Sequence, residues 1–259
     1  MKLNWLRLQK TVCPIFQEWI YLSSMKKLFL LFMGVAAMVS CNSDKKLGNT
    51  QITGEIKGLK QGTLYIQQLK DSTLVTLDSI VLKGKSTFET GFDLNEPEVL
   101  FLGLNRGTSQ SMDNLILFFA EPGNLKINSS LDHFSADAVI EGSKNHELYS
   151  KYLDSRKTLS HKSTDLIKAI ILAQKNDLLH KADSLEQVLN RNNRMQYLHA
   201  VNFVLKNNTY EVAPYITLTD VVPVSNNKLD TIYKSFTPEV AQSKYGKILK
   251  EYLELIKKQ

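Results

Sequence analysis

Cysteine is nearly absent from this 259-residue chain, and its two copies, Cys13 and Cys41, both lie near the start. The rest of the chain therefore offers no thiol pair for a disulfide, a thiolate metal site or a CxxC redox couple. Glycine (12 residues) and proline (6 residues) are also scarce, which excludes a collagen-like or low-complexity chain. With 43% hydrophobic and 22% charged residues, the composition is that of a globular protein with a conventional core.

The formal net charge of +6 overstates the basic character of most of the chain. Five basic residues and one acidic residue, a net charge of +4, precede Cys41: Lys2, Arg7, Lys10, Lys26, Lys27 and Glu18. Subtracting +4 from +6 leaves +2 for the remaining residues. Because these contain no clustered stripe of Lys and Arg, we predict no nucleic-acid partner.

A secretory signal is predicted from Met25 onward. Two lysines follow Met25, then an apolar stretch from Leu28 to Ala37, and then Met38-Val39-Ser40-Cys41. The apolar stretch is too short to span a bilayer comfortably, so a transmembrane anchor is the less favoured alternative. The last four residues resemble a lipobox, in which the cysteine is lipidated and the chain is cleaved before it. We therefore predict a lipoprotein signal peptide over 25–40 and a membrane anchor of acyl chains, such as palmitate, on Cys41.

The flanking residues set the expected location. Residues 41–50 form a polar, lipidated tether. It has no aspartate directly after the cysteine, which argues against inner-membrane retention, and no acidic run, which argues against surface export. We therefore expect the periplasmic face of the outer membrane. Residues 1–24 precede a complete signal peptide, so we interpret them as an upstream extension from a start codon assigned too early, with a functional N-terminal helix as the alternative.

The rest of the chain divides into a β-rich and a helical part. Short β-branched or aromatic runs bounded by glycine or charged turns fill residues 51–142, as in a sandwich or barrel. Beyond Gly142 the apolar period becomes helical. The predicted helices are Asn145–Leu159, Thr164–Leu189, Arg194–Lys206, Thr231–Phe236 and Glu239–Lys257. The expected fold is α+β: an N-terminal antiparallel β-sandwich or barrel-like domain (51–142) followed by an all-helical region (143–259).

Three strings carry a resemblance to a known family: Asp78-Ser79-Ile80-Val81-Leu82, Phe118-Phe119-Ala120-Glu121-Pro122-Gly123-Asn124-Leu125-Lys126-Ile127 and Ile140-Glu141-Gly142-Ser143-Lys144-Asn145. Over about residues 50–150 the chain resembles domain of unknown function 4369, which begins many thiol-disulfide interchange lipoproteins. Tyr245-Gly246-Lys247 resembles the linker that precedes their thioredoxin domain. Here the sequence stops at Gln259, where that domain would begin, and no CxxC pair is present. The resemblance therefore implies fold, lipid anchoring and an envelope location, but not disulfide-reductase activity.

The sequence gives only weak indications of a catalytic or metal-binding site. No metal-ligand spacing links the five histidines, which we expect to be solvated or packed: His133, His146, His161, His180 and His199. Asp78-Ser79 has no nucleophile elbow or partner histidine, so we interpret it as a turn or strand-end pair. We therefore assign no catalytic residue, metal or cofactor.

Several aromatic residues are candidates for a ligand groove, but core packing is their expected role. They are Phe92, Phe101, Phe118, Phe119, Phe134, Tyr149 and Tyr152. A groove between the sandwich and the helices is the expected place for a ligand, because pockets favour such junctions.

The sequence favours a non-enzymatic, lipid-anchored envelope protein that acts as a binding or interaction module. An alternative is an accessory or regulatory subunit of a periplasmic thiol-disulfide system, with the thioredoxin-like catalytic domain on another chain. A thioredoxin-fold protein would then be the partner. An enzyme that uses no cysteine ranks third.

Overall fold

The computed structural model describes residues 48–70, 72–105 and 111–258. The predicted signal peptide and Cys41 lie outside these residues, as does the upstream extension. In the described part of the chain, no helix combines the length and the apolar character that crossing a membrane requires.

Eight strands form two sheets of four in the described residues. They are β1 (Thr50–Lys57), β2 (Gln61–Lys70), β3 (Thr73–Lys83), β4 (Thr87–Phe92), β5 (Glu98–Leu104), β6 (Leu115–Ala120), β7 (Gly123–Ser130) and β8 (Val139–Glu141). The first sheet has the order β4-β1-β7-β8, and the second has the order β3-β2-β5-β6. Both sheets are open, so the predicted sandwich is confirmed and the barrel-like alternative is not.

The sandwich is antiparallel as predicted, except at one pair. β1 and β7 run parallel, with Thr50 beside Gly123 and Lys57 beside Ser130. The parallel pairing arises because the chain leaves β6 in the second sheet and enters the first sheet at the same end as β1. Strand direction across such a crossover depends on distant contacts, so the alternation of side chains could not predict it.

The core of the sandwich lies between the two sheets. Alternate residues of the central strands are fully buried there, as the period of two along a strand predicts. Examples are Ile52 and Ile56 of β1, Leu64 and Ile66 of β2, and Ile127 of β7. The opposite face of the second sheet is also apolar at β5 and β6, where Val99 and Phe119 pack against the helices.

In the described part of the chain, six α-helices follow the sandwich. They are α1 (Lys144–Lys175), α2 (Leu179–Lys206), α3 (Val212–Ile216), α4 (Leu229–Ser235), α5 (Pro238–Ala241) and α6 (Lys244–Ile256). A π-helical turn, Thr217–Val221, continues α3. A short 3₁₀ turn, Met112–Asn114, precedes β6. The α+β fold class predicted from the sequence is confirmed.

The predicted breaks in the helical hairpin were wrong. Helix α1 continues through residues 160–163, and α2 continues through 190–193. These polar stretches are not loops but face each other across the hairpin. The buried Asn192 Nδ2 donates to the Leu159 carbonyl oxygen and to Ser163 Oγ, each at 2.8 Å. Polar residues that bond to each other interrupt the apolar pattern without interrupting the helix.

The real turn of the hairpin lies at Asn176–Leu178, inside the predicted helix Thr164–Leu189. Asp177 has φ 56°, in the left-handed region that Asn and Asp tolerate best among residues with a side chain. Asn176 Nδ2 donates to the Leu172 carbonyl oxygen at 2.7 Å, which satisfies one of the free carbonyls at the end of α1.

The predicted helix Glu239–Lys257 is also divided in two. Ser243 begins α6 by accepting a hydrogen bond from the Gly246 backbone N–H at 3.3 Å, the geometry of an N-cap. The short predicted helix Thr231–Phe236 corresponds to α4 and is confirmed within two residues at its start and one at its end.

Candidate binding site

A cleft of about 410 Å³ opens on the helical region. Three elements surround it: α1, α2 and the segment that contains the π-helical turn. Its lining residues are Tyr152, Arg156, Asn193, Gln196, Tyr197, Thr219, Asp220, Pro223 and Val224. This volume lies within the range of ligand pockets, about 300–1,000 Å³.

The π-helical turn brings Asp220 to the cleft. Its defining bond runs from the Val222 backbone N–H to the Thr217 carbonyl oxygen, five residues earlier, at 2.9 Å. Thr217 is fully buried, and its hydroxyl donates to the Ala213 carbonyl oxygen at 2.9 Å. Turns of this type are rare and occur frequently at functional sites, because the inserted residue redirects the side chains beside it.

Asp220 accepts two hydrogen bonds from α1 on one carboxylate oxygen. Tyr152 Oη donates to Asp220 Oδ2 at 2.5 Å, and Arg156 Nη1 donates to the same atom at 2.7 Å. Tyr152 and Arg156 are four residues apart and therefore share one face of α1. The side chains of Arg156 and Asp220 are 32% and 20% exposed, so this ion pair is only partly shielded from water.

Burial raises the pKa of Tyr152, and its hydrogen bond to Asp220 raises it further. The phenol therefore remains protonated at neutral pH and donates its hydrogen to the carboxylate. Tyr152 itself is held from behind, since its ring stacks on His199 with 5.4 Å between ring centroids. His199 Nε2 lies 3.0 Å from Ser155 Oγ. Within the described residues, the buried His199 Nδ1 has no hydrogen-bond partner.

Two amide side chains of α2 form another wall of the cleft. Gln196 Nε2 donates to Ser163 Oγ at 2.8 Å, and Ser163 Oγ lies 3.2 Å from Asn193 Oδ1. Ser163 is the same hydroxyl that bonds the buried Asn192. These contacts use one amide atom of Gln196 and one of Asn193, so the other amide atom of each side chain can bond a ligand.

Two other cavities are less well organised than this cleft. One of about 580 Å³ lies on the outer face of β1, β4 and β7. Another, of about 630 Å³, lies between β8 and the start of α1, which is where the sequence placed a groove between sandwich and helices. Three of its charged side chains, Lys144, Glu147 and Lys151, are exposed and pair along a single helix. Exposed pairs of this kind hold a site weakly.

The comparison with protein families identifies the sandwich. Residues 50–149 match the family described as domain of unknown function (DUF4369). We refer to this matched segment as the DUF4369 domain. The comparison with curated proteins found no match, and the comparison with solved structures found none either.

The match confirms the predicted resemblance, which covered about residues 50–150. The DUF4369 domain comprises the whole sandwich and the first six residues of α1. All the residues that line the cleft come after residue 149. The cleft is therefore outside the matched segment.

The aromatic residues considered for a groove lie mainly in the two cores. Phe118 and Phe134 are buried inside the DUF4369 domain. Phe119 is fully buried at the junction with the helices, where it contacts Tyr149, Tyr215 and Tyr245 edge-on. Phe92 and Phe101 are partly buried against the cores. Among the seven candidates, Tyr152 is the one that lines the cleft.

The histidines are dispersed over the helices and the end of the DUF4369 domain. His146 is buried at the start of α1, where its Nδ1 accepts a hydrogen bond from the Phe119 backbone N–H at 3.4 Å. Desolvation lowers the pKa of His146 to about 4. His133 is exposed and lies 3.7 Å from Asp137. His161 and His180 are exposed on the hairpin. No group of three metal-ligating side chains occurs in the described ranges.

Asp78-Ser79 is part of strand β3 rather than a site. The Thr90 hydroxyl donates to Asp78 Oδ2 between the sheets, and Ser79 pairs with Tyr65 of β2. Sequence analysis missed Arg156, Asp220 and Gln196. Asp220 lies 64 residues from Arg156 along the chain, and no short motif links them. The proline at position 223, shortly after a Thr-Leu-Thr-Asp run, indicates an irregular helix end and was the available signal.

Proposed function

We propose that this is a non-enzymatic protein of the cell envelope, anchored by lipid on Cys41, with a binding module in its helical region. The ligand site is the cleft between α1, α2 and the π-helical turn. The predicted signal peptide over 25–40 supports the anchor, and the expected location is the periplasmic face of the outer membrane.

One observation carries the binding role. Asp220 is fixed at the wall of an open cleft by contacts within the protein itself, with Tyr152 and Arg156. A site whose polar groups are already oriented loses less conformational entropy when it binds. If the ion pair of Arg156 and Asp220 only stabilised the packing of the helices, an adjacent cavity of this volume would serve no purpose.

The arrangement favours binding over acid–base chemistry. Tyr152 holds its proton, because its raised pKa places ionisation above the physiological range. Asp220 Oδ2 is occupied by two donors, and Oδ1 remains as an acceptor for a ligand hydroxyl.

The anchor is tested by metabolic labelling with palmitate and by membrane fractionation. The native protein should carry label and sediment with membranes. Cys41→Ala should lose the label and leave the membrane fraction. Cys13→Ala is the matched control, and it should behave like the native protein because residues 1–24 are expected to be absent from it. Label retained in Cys41→Ala would contradict the anchor.

One further candidate is an accessory role beside a separately encoded thioredoxin-like protein, which the sequence resemblance to the first part of thiol-disulfide interchange lipoproteins suggests. Affinity purification of the anchored protein under non-reducing and reducing conditions separates the two. Repeated recovery of a thioredoxin-fold partner, under either condition, would favour the accessory role. Its absence would favour the binding module alone.

A further inference from the structure

We infer that the cleft binds a neutral, hydroxyl-rich ligand, a saccharide or a polyol. This inference rests on the proposed binding function and names the chemical class of the ligand. It follows from the charge balance of the cleft, its hydrogen-bonding groups and its apolar rim.

The charge balance disfavours an ionic ligand. The residues that line the cleft include one cation, Arg156, and one anion, Asp220, and the two are bonded to each other at 2.7 Å. An anionic ligand would compete with Asp220 for Arg156, and a cationic ligand would compete with Arg156 for Asp220. Either ligand would leave a partly buried charge without its partner, which is costly. A neutral ligand leaves the pair intact.

The hydrogen-bonding groups favour hydroxyls. Asp220 offers carboxylate acceptors, Arg156 offers several N–H donors, and Gln196 offers an amide with both. A hydroxyl group donates one hydrogen bond and accepts up to two, so neighbouring hydroxyls of one ligand can satisfy donors and acceptors together. Thr219 is exposed beside them, and its hydroxyl, which donates to the Tyr215 carbonyl oxygen at 3.2 Å, adds an acceptor.

The rim of the cleft supplies apolar surface. Tyr197 contributes an aromatic ring, and Pro223 and Val224 contribute aliphatic atoms, with Val224 60% exposed. The C–H face of a sugar ring is apolar, whereas its edge carries the hydroxyls. A cleft with polar walls and an aromatic ring matches that division, since an aromatic side chain gains free energy by covering apolar surface.

The test uses three probes with the same ring and different charge: N-acetylglucosamine (neutral), glucosamine (cationic) and glucuronate (anionic). Each is titrated into the detergent-solubilised full-length protein and followed by ligand-observed NMR. We expect N-acetylglucosamine to bind about tenfold or more tightly than either charged probe, a difference that corresponds to about 1.4 kcal/mol. Tighter binding of a charged probe would overturn the ligand class.

Variants locate the binding in the cleft. Tyr197→Ala should weaken the neutral probe by about tenfold, and Tyr197→Phe, which keeps the ring, by less than about twofold. Gln196→Ala should weaken it, and Gln187→Ala, an exposed glutamine elsewhere on α2, should not. Thermal unfolding of each variant verifies that it is folded.

Asp220→Asn supplies a charge test that does not depend on loss of binding. It removes the anion and leaves Arg156 in place, so glucuronate should gain affinity relative to N-acetylglucosamine by about tenfold. An unchanged preference would contradict the charge argument.

The outcomes separate this inference from the proposed function. A charged probe that binds best, and loses affinity in Gln196→Ala, would overturn the ligand class and leave the binding module standing. Binding that none of the cleft variants alters would overturn both the class and the cleft as the site. Binding of none of the three probes would overturn the ligand class, while palmitate labelling tests the anchor independently.

Discussion

The Tyr245 hydroxyl of α6 accepts a hydrogen bond from the Val99 backbone N–H of β5 at 2.8 Å, and both residues are buried. The two residues are 146 positions apart in the chain. The sequence suggested a linker around Tyr245, yet this segment packs directly on the outer face of the DUF4369 domain. The helical region and the sandwich are therefore joined through a shared aromatic core.

Tyr245→Phe should destabilise the protein. The ring still fills its space, but the Val99 N–H loses its acceptor, and a buried donor without a partner costs about 1–3 kcal/mol. Tyr252→Phe is the matched control, because the Tyr252 hydroxyl bonds Asn226 at the surface and its loss should cost less than about 0.5 kcal/mol. Urea unfolding measures both. Equal stability of the two variants would show that this bond does not hold the regions together.

Asn192→Ala should destabilise the hairpin of α1 and α2. The change leaves the Leu159 carbonyl and the Ser163 hydroxyl without the amide that bonds both, at a cost of about 1–3 kcal/mol. Asn190→Ala, at an exposed position on the same helix, should change stability by less than about 0.5 kcal/mol. Comparable free energies of unfolding for the two variants would contradict the buried polar contact.

Two adjacent isoleucines of α1 provide a test of the helix face. Ile170 is 7% exposed and Ile171 is 60% exposed, although both are large and apolar. Ile170→Ala should cost about 2–4 kcal/mol through lost burial and a residual cavity, and Ile171→Ala less than about 0.5 kcal/mol. Chemical denaturation distinguishes them. A larger loss of unfolding free energy in Ile171→Ala than in Ile170→Ala would show that the buried face of α1 is assigned incorrectly.

Stability should fall as the pH is lowered below 6.5, because of His146. Burial lowers the pKa of His146 to about 4 in the folded protein from 6.5, so in this window the unfolded chain binds a proton that the folded chain does not. Between pH 7 and pH 5 the loss should be about 2 kcal/mol. His146→Gln, which keeps a neutral acceptor for the Phe119 N–H, should remove most of this dependence.

The control for this pH dependence is His133→Gln, since His133 is exposed. It should retain the same fall in stability as the native protein. Free energies of unfolding are measured at pH 7, 6 and 5 for all three proteins. An identical pH profile in His146→Gln would show that another group causes the loss.

Local patterns were sufficient to predict most of the strands, but not the three-residue β8. Alternating apolar residues such as Ile52 and Ile56 mark the inward face of β1 directly in the sequence, and the turn at Pro122-Gly123 marks the start of β7. The parallel pairing of β1 with β7 depends on where the chain re-enters the sheet, which no local pattern records. The helical breaks failed for a related reason, because Ser163 and Asn192 look like loop residues until they are seen to bond to each other.

The cleft was beyond sequence analysis. Tyr152 and Arg156 carry the spacing of one helical face, but their partner Asp220 lies 68 residues from Tyr152 and is presented by a π-helical turn. A π-helical turn adds one residue to a helix and has no composition of its own. Only the fold brings the three side chains together.

The intact mass of the native protein, extracted from membranes, shows whether Cys41 carries the lipid anchor. We predict a chain that begins at Cys41 and carries the added mass of a diacylglyceryl group and an amide-linked acyl chain. A protein that retains residues 25–40, or one that begins at an unmodified Cys41, would contradict the account of a lipid-anchored binding module.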